Sequence, residues 1–305
     1  MELISIIGTG RVGSAIAFLC TSSGLDDVLL VNRTEKKAIG EALDLANTIP
    51  SNSSISVMGT GNYSKIANSD VIIIAASIGE HSAARTDMMS ENTLMIKKIM
   101  QDIAKFAPES KILIVTNPVD VLTFLASKYV IQKNTIGVAS SLDSSRFRFL
   151  LAHQFGTDQS HITDALVMGE HDDSMVPIFS HAKFGGTNVT ELLDQNQIDT
   201  ITSKVRFYWK DLRSTKGSSV YGIAKNTFDI AKAIINNKSL ETPASVLLKG
   251  EYGFENLCMG VPITVNKHGI VKIHQIPITQ NEKDQLCKSA NIIKNNITQA
   301  EKLLS

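Results

Sequence analysis

Short apolar runs alternate with longer amphipathic stretches through the first half of the chain. The runs are Leu3–Ile7, Val28–Val31, Ile55–Met58, Asp70–Ala75, Lys111–Thr116 and Thr135–Ala139. They are rich in Ile, Val and Leu and too short for core helices, so they read as strands buried on both faces. Between them, Ser14–Leu19, a segment from Glu35 towards Pro50, Asp87–Phe106 and Val119–Tyr129 carry helix-forming residues. Thr34 is placed to cap the second of these helices, and Pro108 stops the third. Six strands alternating with helices predict an α/β fold, a doubly wound parallel sheet of the Rossmann kind.

The alternation breaks down near Ala139. A helix containing SLDSSRFRFLLA comes first, then strands near Ile162–Met168 and Met175–His181. A long polar-faced helix around Trp209 and another over Ser219–Asn236 follow. Strand-like segments fill Ala244–Ile278, with a turn at Asn266–Gly269, and an amphipathic helix closes the sequence. The pattern predicts a doubly wound domain over residues 1–139 and a C-terminal α+β domain over 140–305. At 305 residues the chain is long for a single core, which agrees with two domains.

The first run leads into G-x-G-x-x-G at Gly8, Gly10 and Gly13, followed by a helical segment and, at the distance a βαβ unit requires, by Val28–Val31. In that setting the first glycine permits the tight turn, the second lets a pyrophosphate approach the backbone, and the third lets the helix pack close to the strand. The helix N-terminus adds N–H donors and partial positive charge. A nicotinamide dinucleotide is the expected cofactor. About twenty positions past these glycines, where an acidic residue holds the ribose 2′-OH of NAD, stands Asn32, with Arg33 beside it. A neutral side chain does not repel a 2′-phosphate and an arginine can hold one, so NADP or dual use is expected ahead of strict NAD use.

Charge excludes several classes. Thirty basic residues balance thirty acidic ones, so no field of one sign points to nucleic acid or an anionic membrane. The cysteines, Cys20, Cys258 and Cys287, are odd in number and widely spaced, which fits free thiols in a reducing compartment. With the first strand entered at Leu3 and no apolar run of membrane-spanning length, a cytoplasmic location is expected.

Hydride chemistry at a carbonyl needs a proton donor or acceptor beside it. Of seven histidines, His171 in MGEHDDSMVP follows a strand-like segment and has Glu170, Asp172 and Asp173 as neighbours. A carboxylate on one ring nitrogen would fix the tautomer and stabilise the imidazolium. A metal site is not expected, because consecutive strand residues point to opposite faces.

Several motifs resemble those of the lactate/malate dehydrogenase superfamily, and look most like its archaeal-type malate dehydrogenases. They are GTGRVGS, VTNPVDV from Val115, LDSSRFR from Leu142, GEHDDSMVP from Gly169, KGSS from Lys216 and GEYGFENLCMGVP from Gly250. The resemblance spans nearly the whole chain. It implies His171 as acid/base and Asp143 as the carboxylate that orients it. Arg146 would hold the substrate carboxylate, and Arg85, on a lid loop over 76–86, would polarise the reacting carbonyl. Asn117 would touch cofactor and substrate, and Ser219 would line the pocket. Cofactor contacts would come from Gly8, Gly10, Arg11, Val12, Gly13, Asn32, Arg33, Asn92 and Asn117. The implied reaction is hydride transfer between NAD(P) and a 2-hydroxy acid, malate first, with a lactate-like or other neutral 2-hydroxy acid as the alternative. A small-molecule substrate and a homodimer or homotetramer are the implied partners, with no nucleic acid and no membrane.

This sequence departs from the family at two points. Asp172 stands where a glycine usually follows the catalytic histidine. The lid reads IGEHSAAR, placing Gly79 where malate enzymes carry a second arginine and lactate enzymes a glutamine. Two rival readings are an NAD-dependent glycosidase on a similar sheet and a non-catalytic nucleotide-sensing protein. Retention of Asp143, Arg146 and His171 argues against the first, and Arg85 against the second.

Overall fold

The structure is a computed structural model that describes residues 2–78 and 85–304; the side chains of 85–88 are outside the description. Its first half alternates strand and helix: β1 (Leu3–Ile7), α1 (Arg11–Ser22), β2 (Asp27–Val31), α2 (Glu35–Leu45), β3 (Val57–Thr60), β4 (Val71–Ile74), α3 (Arg85–Phe106), β5 (Lys111–Ile114), α4 (Val119–Ala126) and β6 (Thr135–Gly137). These strands are parallel, in the order β6-β5-β4-β1-β2-β3. All four residues of β4 are buried, as a central parallel strand covered by helices on both faces requires.

The second half begins with α5 (Ser140–Phe155). Short ladders follow: β7 (Ile162–Thr163), β8 (Val167–Met168), β9 (Val176–Pro177), β10 (Lys183–Phe184) and β11 (Thr187–Asn188). Then come α6 (Gln195–Thr215), α7 (Tyr221–Ile235), β12 (Leu240–Lys249), β13 (Glu255–Asn266), β14 (Gly269–Ile273) and α8 (Gln280–Lys302). Strands β12 to β14 are antiparallel and extend the parallel sheet, because Ser245 of β12 pairs with Gly137 of β6. The result is one nine-stranded mixed sheet, dominated by its parallel half. A sequence reading restricted to the six early strands does not foresee that continuity.

Four local differences from the sequence expectations have physical causes. Strand β3 lies two residues later than Ile55–Met58. The Asp27 carboxylate takes the N–H and hydroxyl of Ser56, and the ladder with β2 starts only at Val57. The two strands expected over Ile162–Met168 and Met175–His181 are broken into pairs of residues, with Asp164 in a left-handed conformation between β7 and β8. Thr34 precedes α2 but its side chain makes no capping hydrogen bond. Finally, α3 begins at Arg85, so that residue's backbone is helical and not part of the preceding loop.

Two apolar cores result. The larger lies on the mixed sheet; the smaller, around Phe147, Phe179 and Val205, lies under the second half. Phe147 is fully buried and meets Phe179 edge to face, with ring centroids 4.8 Å apart. Phe147 and Leu151, one turn apart on α5, thus anchor that helix from below.

Candidate active site

The parallel sheet reverses its direction of winding between β4 and β1, the point where open α/β sheets bind ligands beyond their carboxyl ends. The glycine loop lies there. Gly8 has φ +103°, and a Cβ on it would meet the Ala76 backbone nitrogen at 2.5 Å, so this turn is pressed against the segment that follows β4. A Cβ on Gly13 would sit 1.9 Å from the Gly8 carbonyl oxygen, so helix α1 can start this close to β1 only with glycine at that position. Gly10, the N-cap of α1, differs: no protein atom lies within 4 Å of where its Cβ would be. That open space above a helix N-terminus without a side-chain cap is what a pyrophosphate needs, so these residues fit a dinucleotide.

The rest of the expected cofactor set surrounds the loop. Val12 packs partly into the core, while Arg11 is exposed and reaches towards Gly217, bringing the start of α1 beside the segment that carries Ser219. Asn32 donates to the Thr9 hydroxyl at 2.7 Å and accepts from the Thr34 N–H at 2.9 Å; its amide ties the end of β2 to the glycine loop. Arg33 is exposed next to it. Asn92 is 1% exposed: it accepts from the Ile78 N–H and donates to the Asn117 carbonyl, both at 2.9 Å. It therefore links the segments after β4 and β5, and Asn117 itself is exposed at the sheet's carboxyl edge before a cis bond to Pro118.

The acid/base group is assembled from four elements. Asp143 and Arg146 are one turn apart on α5, so they share a face, and Arg146 Nη1 donates to Asp143 Oδ1 at 3.1 Å. The other carboxylate oxygen of Asp143 lies 2.6 Å from His171 Nδ1. A carboxylate only accepts, so Nδ1 carries the proton and Nε2 is left for chemistry. Asp143 is 1% exposed and the imidazole 17%, which leaves the ring one open edge. The third partner was not singled out from the sequence: Asp120, on the apolar helix α4, accepts from the His171 backbone N–H at 2.8 Å. Its other oxygen accepts from the Ser245 hydroxyl of β12 at 2.6 Å.

The local carboxylates expected around His171 play other parts. Glu170 accepts from Ser174 and from Asn296 of α8. Asp173 acts on Arg206 of α6. The long-range partner Asp143, not a sequence neighbour, engages the ring. Burial disfavours the imidazolium, but the charge and hydrogen bond of Asp143 outweigh it, so the His171 pKa is raised. Arg146 opposes this shift and Asp120 adds to it. Asp172, the next residue in sequence, is half-buried, and the Asp120 carboxylate acts on the ring besides that of Asp143.

Arg146 is 8% exposed, and the Tyr208 ring of α6 lies 5.1 Å from its guanidinium carbon. Among the described residues only Nη1 is hydrogen-bonded, which leaves donors of a rigid fork for a substrate carboxylate. Gly79, Glu80 and His81 of the expected lid lie outside the described residues, as does the Arg85 side chain. No group of three or more potential metal ligands occurs among the described residues, and none of their helices is long and apolar enough to cross a membrane.

Comparison with known proteins agrees with this geometry. Residues 3–137 match the family model described as lactate/malate dehydrogenase, NAD binding domain, and residues 140–304 match lactate/malate dehydrogenase, alpha/beta C-terminal domain. The chain is 32% identical over 303 residues to a malate dehydrogenase of Ehrlichia canis, covering 96% of each protein. It is 34% identical over 301 residues to L-lactate dehydrogenase 1 of Peribacillus psychrosaccharolyticus, covering 95% of this chain and 94% of that one. Among solved structures, it superposes with a TM-score of 0.94 and 30% identity on a Cryptosporidium parvum lactate dehydrogenase complexed with lactic acid and nicotinamide adenine dinucleotide, with 98% of each chain covered.

Proposed function

The chain belongs to the lactate/malate dehydrogenase family, and from that premise we propose that it interconverts a 2-oxoacid and a 2-hydroxy acid with NAD(H), oxaloacetate and malate being the first candidates. The observation that carries this reading is the His171–Asp143–Arg146 set, in which Nε2 of the imidazole and the remaining donors of the guanidinium have no hydrogen-bond partner among the described residues. The nicotinamide, when bound, supplies or takes the hydride. In the reductive direction Arg146 holds the substrate carboxylate, and protonated His171 gives its Nε2 proton to the carbonyl oxygen. Asp143 keeps the resulting neutral imidazole in the Nδ1–H tautomer, ready for reprotonation. Arg85 is assigned to stabilise the developing oxyanion. In this reading residues 1–139 hold the dinucleotide and 140–305 supply the proton and the carboxylate clamp, with Ser219 at the pocket wall.

Asn32 and Arg33 extend the proposal to NADP(H) as well as NAD(H), since neither repels a 2′-phosphate. The choice of malate follows the archaeal-type motifs and the small Ser219. Gly79 favours the second reading, a neutral 2-oxoacid, because a second substrate carboxylate in a dry site needs a cation and glycine offers none. A homodimer or homotetramer belongs to the same proposal. Phe18, Leu43 and Tyr221 are exposed on α1, α2 and α7, and α1 packs against both other helices; exposed apolar side chains on three neighbouring helices are what a second copy would cover. The three free cysteines favour a reducing, cytoplasmic setting.

The test is the absorbance of NADH and NADPH against oxaloacetate, pyruvate and larger neutral 2-oxoacids, with wild type, Gly79→Arg and Arg33→Ala. We expect oxaloacetate to be reduced and Gly79→Arg to raise its kcat/KM relative to pyruvate by about one to two decades, the size of a charge-assisted contact of about 1.5–3 kcal/mol. Arg33→Ala should raise KM for NADPH more than for NADH. A wild type that prefers pyruvate, with no gain in Gly79→Arg, overturns malate. Absence of turnover with every 2-oxoacid overturns the enzyme class and leaves a nucleotide-binding protein.

A further inference from the structure

Helix α4 is apolar on every side, VDVLTFLA, and seven of its eight residues are buried. A carboxylate is out of place in such a helix unless something holds it, and Asp120 is 4% exposed. Its two oxygens are used separately. One accepts the His171 backbone N–H at 2.8 Å, and the other the Ser245 hydroxyl at 2.6 Å. Ser245 is the residue through which β12 pairs with β6. Asp120 thus joins the parallel half of the sheet, the antiparallel half and the segment carrying the acid/base residue.

We propose that Asp120 is a positioning residue for the reaction: a second buried counter-ion that, with Asp143, fixes His171 and favours its protonated form. The inference rests on the 2-oxoacid reading for its kinetic consequence, though not for its structural one. Charges act on one another here: Asp143 and Arg146 of α5 and Asp120 of α4 act on the His171 imidazole, Asp143 acts on Asp120, and Asp120 acts on the Cys258 thiol of β13. With the imidazole protonated, two cations balance two carboxylates. Proton transfer to substrate leaves one cation and two anions, which favours reprotonation. Burial pushes the Asp120 carboxyl up to about 6, against the hydrogen bonds from Ser245 and His171 that hold it down. Below that pH the protonated Asp120 loses its charge and one acceptor, so reduction gains an acid limb.

Asp120→Asn tests this, because an amide can accept the His171 N–H and donate to Ser245 while removing the charge. The first readout needs no turnover: a ¹⁵N NMR titration of the His171 ring, assigned with His171→Asn. We expect its midpoint to fall by a fraction of a pH unit, less than removal of the Asp143 charge would cause, because Asp120 is the smaller of the two carboxylate influences on the ring. The alkaline limb of kcat/KM for 2-oxoacid reduction should move down equally, and the acid limb should vanish. An unmoved His171 titration overturns the proposal, and loss of 2-oxoacid turnover in wild type would overturn the enzymatic reading alone. If Asp120→Asn does not fold, Ser245→Ala decides. It keeps the charge but removes a hydrogen bond from the ionised carboxylate, so the acid limb must move to higher pH; an unmoved limb overturns the proposal.

Discussion

The glycine loop and the acid/base centre lie at the same edge of one sheet and are built on opposite principles. The loop is mainly local: six residues, Gly8 to Gly13, with the Gly13 position closed by the Gly8 carbonyl, the Gly8 position closed by the Ala76 backbone and the Gly10 position open. The acid/base centre is assembled at long range, from α4, α5, β12 and the segment after β8, and it is held by charge and hydrogen bonds. A local device is specified by residue spacing, whereas an assembled one is specified by the fold that brings its parts together. The loop should therefore fail by losing shape, and the centre by losing chemistry.

The largest expected effect separates the two directly. His171→Asn should lower kcat for 2-oxoacid reduction by roughly 10²–10⁴-fold, the usual worth of a positioned acid/base group. NADH binding, followed by quenching of protein fluorescence or by calorimetry, should stay near wild type because the loop is untouched. Equal losses of turnover and binding would mean that the two regions are not separable.

Within the loop, two chemically identical substitutions should differ. Gly13→Ala forces a methyl group to 1.9 Å from a backbone oxygen, so something must shift. A cost of about 1–3 kcal/mol in thermal or denaturant unfolding is expected, as for overpacking. Gly10→Ala meets no protein atom and should cost less than Gly13→Ala, only the small loss of placing alanine at an N-cap, while its affinity for NADH drops because the methyl group occupies the pyrophosphate's approach. Similar stability losses in both would show that Gly10 is a structural glycine.

This contrast also explains what was legible in the chain. The six parallel strands, the glycine loop and most helices follow from apolar runs and spacing, because each is set by its own residues. Strand β3 slipped because Asp27, far away in sequence, and the contact of Gly59 with α2 set its register. A Cβ on Gly59 would lie 2.2 Å from the Ala38 carbonyl. The short ladders β7 to β11 have too little periodicity to read. His171 stands out by its place after a strand-like segment among acidic neighbours, Asp143 and Arg146 come from motif resemblance, and the geometry brings the three together. Asp120 carried no signal of its own: one acid in an apolar helix gains meaning only when Ser245 and the His171 backbone converge on it.

The central claim is that one proton on His171 couples to hydride transfer in both directions, and the pH dependence of kcat/KM for reduction and for oxidation tests it most directly. Reduction needs the protonated ring, so its rate should fall as pH rises through the His171 pKa, which Asp143 holds above the ordinary histidine value. Oxidation needs the neutral ring, so its rate should rise through the same midpoint. Mirror-image limbs sharing one midpoint, and absent from His171→Asn, are the predicted result. Limbs that run in the same direction through the His171 midpoint, or that survive there in His171→Asn, would contradict it.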